Sequence, residues 1–96
     1  MALPFPRLVR CGDVAERAIG GETVLVPIRR STRERVSVLT LNEVGSHVWS
    51  LLREPRTVAE LAATVCAEFE VDEAHARPDV ESFVARLREL GLAREA

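Results

Sequence analysis

The sequence predicts an α+β fold in which a three-stranded antiparallel sheet is followed by three helices, in an arrangement close to a winged helix-turn-helix. Two observations lead to this prediction. The first part of the chain alternates as β-strands do, whereas the part after residue 42 repeats its apolar residues at helical spacing. At the junction, Val36–Leu52, a strand runs into a helix with almost no loop, so both must share one core. A strand placed in this way can keep a free edge, with which another chain can pair.

Length and composition describe one small globular domain. The chain has 96 residues, of which 47% are hydrophobic and 29% are charged, an ordinary balance for a soluble protein. No apolar run approaches the roughly 20 residues that a membrane-spanning helix needs, and the N-terminus lacks the pattern of a secretory signal. We therefore predict a cytoplasmic protein that makes no contact with membranes.

The charge is unevenly distributed along the chain. All 13 positively charged side chains are arginine, and the net charge is −2. Residues 1–35 carry seven arginines against four acidic residues, whereas residues 36–96 carry six arginines against eleven. The first third of the chain therefore favours acidic partners, and the remainder does not.

The strands are predicted in the first half of the chain. Residues 1–13, which contain two prolines, predict an extended N-terminal arm, and a single domain is predicted over residues 14–93. The Gly20-Gly21 pair supplies the positive backbone dihedrals of a two-residue hairpin turn between the first two strands. A basic loop then leads to the third strand. The three predicted strands are Val14–Ile19, Thr23–Val26 and Val36–Thr40.

Capping signals place two helices after the strands. Asn42 is suited to accept a hydrogen bond from the first turn of a helix that ends near Arg53. Gly45 inside that helix costs roughly 1 kcal/mol relative to Ala, which indicates close packing against another backbone. Thr57 and Glu60 form a capping box for a second helix, which runs to about Phe69.

The third helix has two possible starts. Asp72 is a suitable cap, but Pro78 implies either a separate first turn or a regular helix that begins near Arg77. After Pro78 the apolar residues lie on one side of the helix, at Val80, Phe83, Val84, Leu87 and Leu90. Gly91 is suited to a left-handed cap, with Leu92 packing back against the last turn.

Residues that support catalysis or metal binding are sparse. His47 and His75 lack partners at metal-ligand spacing, and Cys11 and Cys66 form no CxxC pair. The sequence has no nucleophile elbow and no phosphate-binding glycine loop. We therefore predict a protein that is not an enzyme and that holds no metal and no cofactor.

Two features allow more than one interpretation. Trp49 has the spacing of a core residue, and the alternative is an exposed platform for a partner. A winged helix-turn-helix would place its third helix in the major groove of DNA, but residues 72–89 carry five acidic side chains against three arginines. Because phosphate neutralisation supplies most nonspecific affinity for DNA, nucleic acid is a disfavoured partner. A winged-helix DNA-binding module, or another protein-interaction module, is kept as the alternative function.

Three segments resemble a known family, namely Leu41–Gly45, Val48–Leu52 and Arg56–Leu61. Their order and spacing resemble the PqqD-like family over about residues 14–93. Further similarities fall where that family's third helix and its end would lie, at Val71-Asp72, Asp79-Val80, Phe83 and Leu90–Leu92. The first half of the chain resembles generic members of this family more than the quinone-pathway proteins.

The resemblance implies a recognition element for ribosomally synthesised and post-translationally modified peptides. Its namesake is the peptide chaperone of pyrroloquinoline quinone biosynthesis. Such a domain binds the leader segment of a precursor peptide as an added strand and presents it to a modifying enzyme of natural product biosynthesis. The resemblance implies a radical S-adenosylmethionine enzyme as the partner in the namesake pathway, and a protease, a cyclase or another modifying enzyme elsewhere. The domain would be a monomer or a weak dimer, since free edges permit strand exchange.

We therefore expect a leader peptide to pair with the third strand and to lie against the third helix. The wall would be the flank of that helix where Val84 lies at the margin of the apolar stripe, with Val80 in the core or at the floor. Arginines of this flank and of the basic loop would attract acidic leader residues. The predicted peptide-binding residues are Arg35, Val36, Ser37, Val38, Leu39, Thr40, Arg77, Val80, Glu81, Val84 and Arg88.

Overall fold

A computed structural model describes residues 6–28 and 38–96 of the chain. Within these ranges the chain forms five strands and three helices, which confirms the predicted α+β class. The strands are β1 (Leu8–Arg10), β2 (Val14–Ile19), β3 (Glu22–Pro27), β4 (Leu39–Leu41) and β5 (Ala93–Glu95). The helices are α1 (Glu43–Leu51), α2 (Val58–Phe69) and α3 (Glu73–Glu89).

The strands β2, β3 and β4 form an antiparallel sheet with β3 at its centre. Ile19 lies opposite Glu22 across the β2–β3 hairpin, so its loop is the predicted Gly20-Gly21 pair. Gly20 has a φ of +63°, which a residue without a Cβ adopts without strain. This hairpin is therefore confirmed.

The third strand of the sheet differs slightly from its prediction. The sequence places it at Val36–Thr40, whereas β4 begins at Leu39 and includes Leu41. Leu39 lies opposite Leu25 of β3, and residues 36 and 37 fall outside the described ranges. The strand still runs into α1 with Asn42 as the single intervening residue, as the sequence predicts.

A two-stranded sheet of β1 and β5 was missed by the sequence analysis. Leu8 lies opposite Glu95 in an antiparallel pair. On its other side, the Leu8 amide donates to the Arg56 carbonyl at 2.7 Å and the Arg56 amide donates to the Leu8 carbonyl at 2.9 Å. The part of the predicted arm that the structure describes is therefore packed onto the domain over β1, because its backbone groups have partners on two sides.

The hydrophobic core lies between the inner face of the three-stranded sheet and the helices. Its fully buried residues include Leu25, Leu52, Leu61, Leu87 and Leu92. Trp49 belongs to this core, with 2% of its surface exposed. The Arg10 guanidinium lies over the Trp49 ring, 4.8 Å from its centroid, at a distance suited to a cation–π contact. The structure therefore supports the core interpretation of Trp49.

The caps of α1 and α2 match the sequence prediction. The Gly45 amide donates to the Asn42 side chain at 2.8 Å. At α2 the Glu60 amide donates to the Thr57 hydroxyl, and the Thr57 amide donates to the Glu60 carboxylate, both at 3.1 Å. This bond from the Thr57 backbone is the main reason that the pKa of Glu60 lies below its usual value. Both helices thus begin at fixed positions.

The third helix is continuous from the predicted Asp72 cap, whereas the separate first turn and the start near Arg77 that Pro78 implied are wrong. It runs over Glu73–Glu89 with Asp72 as its cap, and Pro78 lies inside it. Because proline has no amide hydrogen, the carbonyl four residues earlier loses its helical partner. At the other end Gly91 has the predicted positive φ, +73°. The Leu92 amide donates to the Leu87 carbonyl at 2.8 Å, as in a Schellman cap.

We expect Pro78→Ala to raise the free energy of unfolding by about 1–2 kcal/mol. The change restores one backbone hydrogen bond and replaces proline by a better helix former. Part of this gain is offset because the unfolded chain regains the conformational freedom that proline restricts. Urea unfolding followed by circular dichroism measures the change. Ser82→Ala is the control, since it adds an alanine to the same helix without a new backbone bond and gains at most about 0.5 kcal/mol. Equal effects of the two changes would contradict the prediction.

The start of α3 also contains an exposed pair of titratable groups. The distance between His75 Nδ1 and Asp72 Oδ1 is 2.5 Å. This hydrogen bond raises the pKa of His75 above 6.5, and it is the main reason that the pKa of Asp72 lies below 3.8. The His75 contribution to stability is full below pH 6.5 and is lost as pH rises through its folded-state pKa. The Asp72 contribution is present above pH 3.8 and is lost as pH falls through its folded-state pKa.

We predict that Asp72→Asn lowers the pKa of His75 toward 6.5, because the amide no longer favours the imidazolium. Asparagine is also a good helix cap, so α3 should keep its start. An NMR titration of the His75 ring measures the pKa, with His47 as the internal control. A His75 pKa that is the same in both proteins would show that the pair has no electrostatic effect.

Candidate functional site

The first component of the candidate site is the outer edge of β4. In the described part of the chain β4 pairs with β3 on one side only. Leu41 is buried against the core, whereas Thr40 points away from it and is exposed. Val38, just before the strand, is 60% exposed. Backbone groups on the outer side of β4 are therefore available to an added strand.

A cleft of about 330 Å³ lies at the end of β4, between the start of α1 and one side of α3. We call it the front cleft. Its lining is largely apolar and comprises Asn42, Val44, Gly45, Val48, Val65, Val71, Ala76, Asp79, Val80, Ser82 and Phe83. A Cβ on Gly45 would lie 3.4 Å from the Leu41 side chain and 3.5 Å from Phe83. Gly45 thus stands where β4, α1 and α3 meet, packed against side chains rather than the predicted backbone.

The third helix presents two rows of residues, one along each margin of its buried stripe, and the second row includes the buried Val84. We call Asp79, Phe83 and Arg86 the front row, since Asp79 and Phe83 line the front cleft and Arg86 follows at helical spacing. We call Arg77, Glu81, Val84 and Arg88 the back row. Each row is spaced so that its members stack along the helix. The rows therefore face different neighbours.

The back row lines a separate cavity of about 530 Å³, which we call the back cavity. The other walls of this cavity come from the start of β1 and the start of α2, at Pro6, Leu8, Thr57, Val58 and Ala59. No described residue of β4 lines it. Among the described residues, the predicted strand edge and the predicted helix flank therefore do not line one common cavity.

The remaining predicted residues are placed as follows. Arg35, Val36 and Ser37 lie outside the described ranges. Leu39 and Thr40 belong to β4. Val80 is buried in the core and also lines the front cleft. Val84 is 3% exposed, so it is a core residue that contacts the back cavity.

The front-row residues and Gly45, which belong to the candidate site that the structure offers, are not among the residues predicted from the sequence. Helical periodicity identifies the buried stripe of α3, but it does not say which flank lies beside β4. A usable signal was the helix-interior Gly45, because a glycine there indicates the close approach of a neighbouring element. That neighbour includes Phe83, which marks the front side of α3.

Charged side chains in both rows form exposed pairs. Arg77 Nε lies 3.3 Å from Glu81 in the back row. Arg86 Nη1 lies 3.7 Å from Glu89, beyond the front row. Exposed pairs of this kind contribute about 0–1 kcal/mol to stability. They leave the front cleft with a mainly apolar surface and a carboxylate, that of Asp79, at its rim.

Within the described residues no group of three or more His, Cys, Asp or Glu side chains is placed to hold a metal ion. Among the helices of the same ranges, none combines the length and the apolar character that crossing a bilayer requires. The arrangement that the structure does offer is a strand edge next to an apolar cleft. That arrangement is suited to the binding of an extended peptide.

The fold and the strand edge define a class of small α+β, winged-helix-like domains. The model of one family, described as "Coenzyme PQQ synthesis protein D (PqqD)", matches residues 22–93, and the chain belongs to this PqqD family. A solved structure described as "TbiB1 in Complex with the TbiA(beta) Leader Peptide" is similar to this chain with a TM-score of 0.72 and 28% sequence identity. The alignment covers 90% of this chain and 94% of that one. No curated protein matches the chain significantly.

Proposed function

We propose that this protein binds the leader segment of a ribosomally synthesised precursor peptide and presents that peptide to a modifying enzyme, without a catalytic role of its own. Membership of the PqqD family supports this proposal. The similarity to TbiB1, whose structure contains the TbiA(beta) leader peptide, supports it as well. The leader adds as a strand to β4, and one of its side chains enters the front cleft.

The observation that carries the proposal is the position of the β4 edge beside the front cleft. The sheet has a second outer strand, β2, but most of its side chains are exposed and include Glu16 and Arg17. Charged, exposed edge strands are protected against pairing. At β4, by contrast, an added strand that continues past Leu41 reaches an apolar cleft. Strand pairing and side-chain burial are thus available together at β4, which favours this edge over that of β2.

The expected affinity follows from backbone bonds and one buried side chain. Each added backbone hydrogen bond contributes roughly 0.5–1.5 kcal/mol, and a fully buried aliphatic or aromatic side chain contributes roughly 1.5–3 kcal/mol. A free leader is disordered, so its ordering opposes binding. Pairing along β4 with one buried side chain therefore places the dissociation constant between about 1 mM and about 1 μM, or about −4 to −8 kcal/mol.

The test begins with capture of peptides from the native host on immobilised protein, and the captured leader is then titrated by fluorescence anisotropy. Ser82→Trp and Ala85→Trp are a matched pair, since both residues are small and exposed and each lines a different cavity. We expect Ser82→Trp to weaken leader binding at least about tenfold, or about 1.4 kcal/mol. Ala85→Trp should leave it unchanged. The reverse order of effects, or the capture of duplex DNA in place of a peptide, would overturn the proposal.

A further inference from the structure

The back cavity is not used by the proposed function. Its apolar wall consists of Pro6, Leu8, Val58, Ala59, Val84 and Ala85. Leu8 and Val84 belong to the hydrophobic core, so the wall is an extension of the core to the surface. The volume is about 530 Å³, which exceeds that of the front cleft. A surface opening of this kind is suited to apolar side chains from another chain.

The charge around the back cavity is positive once internal pairs are removed. Arg77 is paired with Glu81, and Glu89 is paired with Arg86. Arg88 lines the cavity, is exposed, and has no ion-pair partner among the described residues.

Two further features give the cavity the same sign of charge. Arg7 is exposed and directly follows Pro6 in the chain. Part of its charge is offset by the Glu60 carboxylate in the first turn of α2, whose pKa is lowered mainly by the Thr57 bonds and to a lesser extent by Arg7 and Arg56. The positive end of the α2 dipole lies at the same wall. A complementary ligand therefore carries negative charge.

We infer that the back cavity binds an apolar peptide segment of a second protein, and that this segment carries an aspartate or glutamate whose carboxylate pairs with Arg88. From Arg77 to Arg88 the α3 axis spans about 16 Å at 1.5 Å per residue. This length matches about five residues of extended peptide at 3.3 Å each. Because the front and back rows lie on opposite sides of the buried stripe, the segment binds while a strand occupies β4.

The experiment uses two five-residue probes, acetyl-Ser-Leu-Asp-Leu-Ser-amide and the same peptide with Asn in place of Asp. Each probe is titrated into the ¹⁵N-labelled full chain. We expect the Asp peptide to bind with a dissociation constant on the order of 1 mM and to shift the amides of Val58, Ala59 and Ala85. The Asn peptide should bind about two- to fivefold more weakly, as the loss of one exposed ion pair implies.

Two variants and one control distinguish the contribution of the Arg88 charge from that of the apolar wall of the back cavity. Arg88→Gln should remove the difference between the two probes, whereas Arg53→Gln, which changes an exposed arginine outside the cavity, should keep it. Ala85→Trp should reduce binding of both probes at least threefold. Equal binding of the Asp and Asn probes to the unmodified protein, or shifts confined to β4 and Ser82, would overturn the inference. Those results would leave leader binding at β4 unaffected, since that binding is measured with a different peptide and a different variant.

Discussion

Gly45→Leu is expected to leave the domain folded and to weaken leader binding by at least about tenfold, or about 1.4 kcal/mol. A Cβ added at this position would already contact Leu41 and Phe83, so the larger side chain would extend into the front cleft. It then occupies the space that a leader side chain needs. Leucine is also a better helix former than glycine, which offsets the strain of the added volume. Binding is measured by anisotropy with the captured leader, and folding by urea unfolding.

Gly45→Ala is the matched control for this change. Its Cβ makes contacts of 3.4 Å and longer, so the methyl group fits without displacing its neighbours. We expect a gain in stability of up to about 1 kcal/mol and leader binding within threefold of the unmodified protein. Undiminished binding by Gly45→Leu would exclude the front cleft from the leader site.

Leu87→Ala is expected to lower the free energy of unfolding by about 2–5 kcal/mol. The side chain is fully buried and lies on the stripe of α3 between the front and back rows. Truncation removes apolar burial and leaves a cavity that the packed neighbours cannot fill. This loss is a large fraction of the free energy of unfolding of a whole domain, which is typically about 5–15 kcal/mol.

The control for this prediction is Glu89→Ala, two residues further along the same helix. Glu89 is exposed, and its carboxylate lies 3.7 Å from the Arg86 guanidinium. The substitution should therefore alter the free energy of unfolding by no more than about 0.5 kcal/mol. Chemical denaturation of both variants under the same conditions gives the comparison. A loss below 1 kcal/mol for Leu87→Ala would mean that α3 is not anchored through this residue, and the separation of its two rows would lose its basis.

Local signals were sufficient to predict most of the fold. Helix caps and hairpin turns depend only on residues that are close together in the chain, so they can be recognised in a single sequence. Examples are the Asn42 and Thr57 caps and the Gly20-Gly21 turn. The β1–β5 sheet escaped prediction because its strands are three residues long and join the two ends of the chain. Pro78 misled the prediction of α3, since tertiary packing of the apolar stripe outweighs the local cost of one missing bond.

The candidate site was predicted only in part. The β4 edge follows from the strand that runs directly into α1, and the structure keeps that edge free of pairing within the described residues. The helical periodicity of the sequence does not indicate which flank of α3 lies beside β4, because Val84 and Phe83 both border the same buried stripe. Only the three-dimensional contact of Phe83 with Gly45 separates the front row from the back row.

The most direct test is amide hydrogen exchange of the protein with and without its captured leader peptide, followed residue by residue by NMR. The account predicts that an amide among Leu39–Leu41 becomes at least tenfold better protected, because it donates to the added strand. It also predicts shifts at Gly45, Ser82 and Phe83 in the same titration. Protection confined to β2, or shifts confined to Arg77, Val84 and Arg88 with no change in β4, would contradict strand addition at this edge.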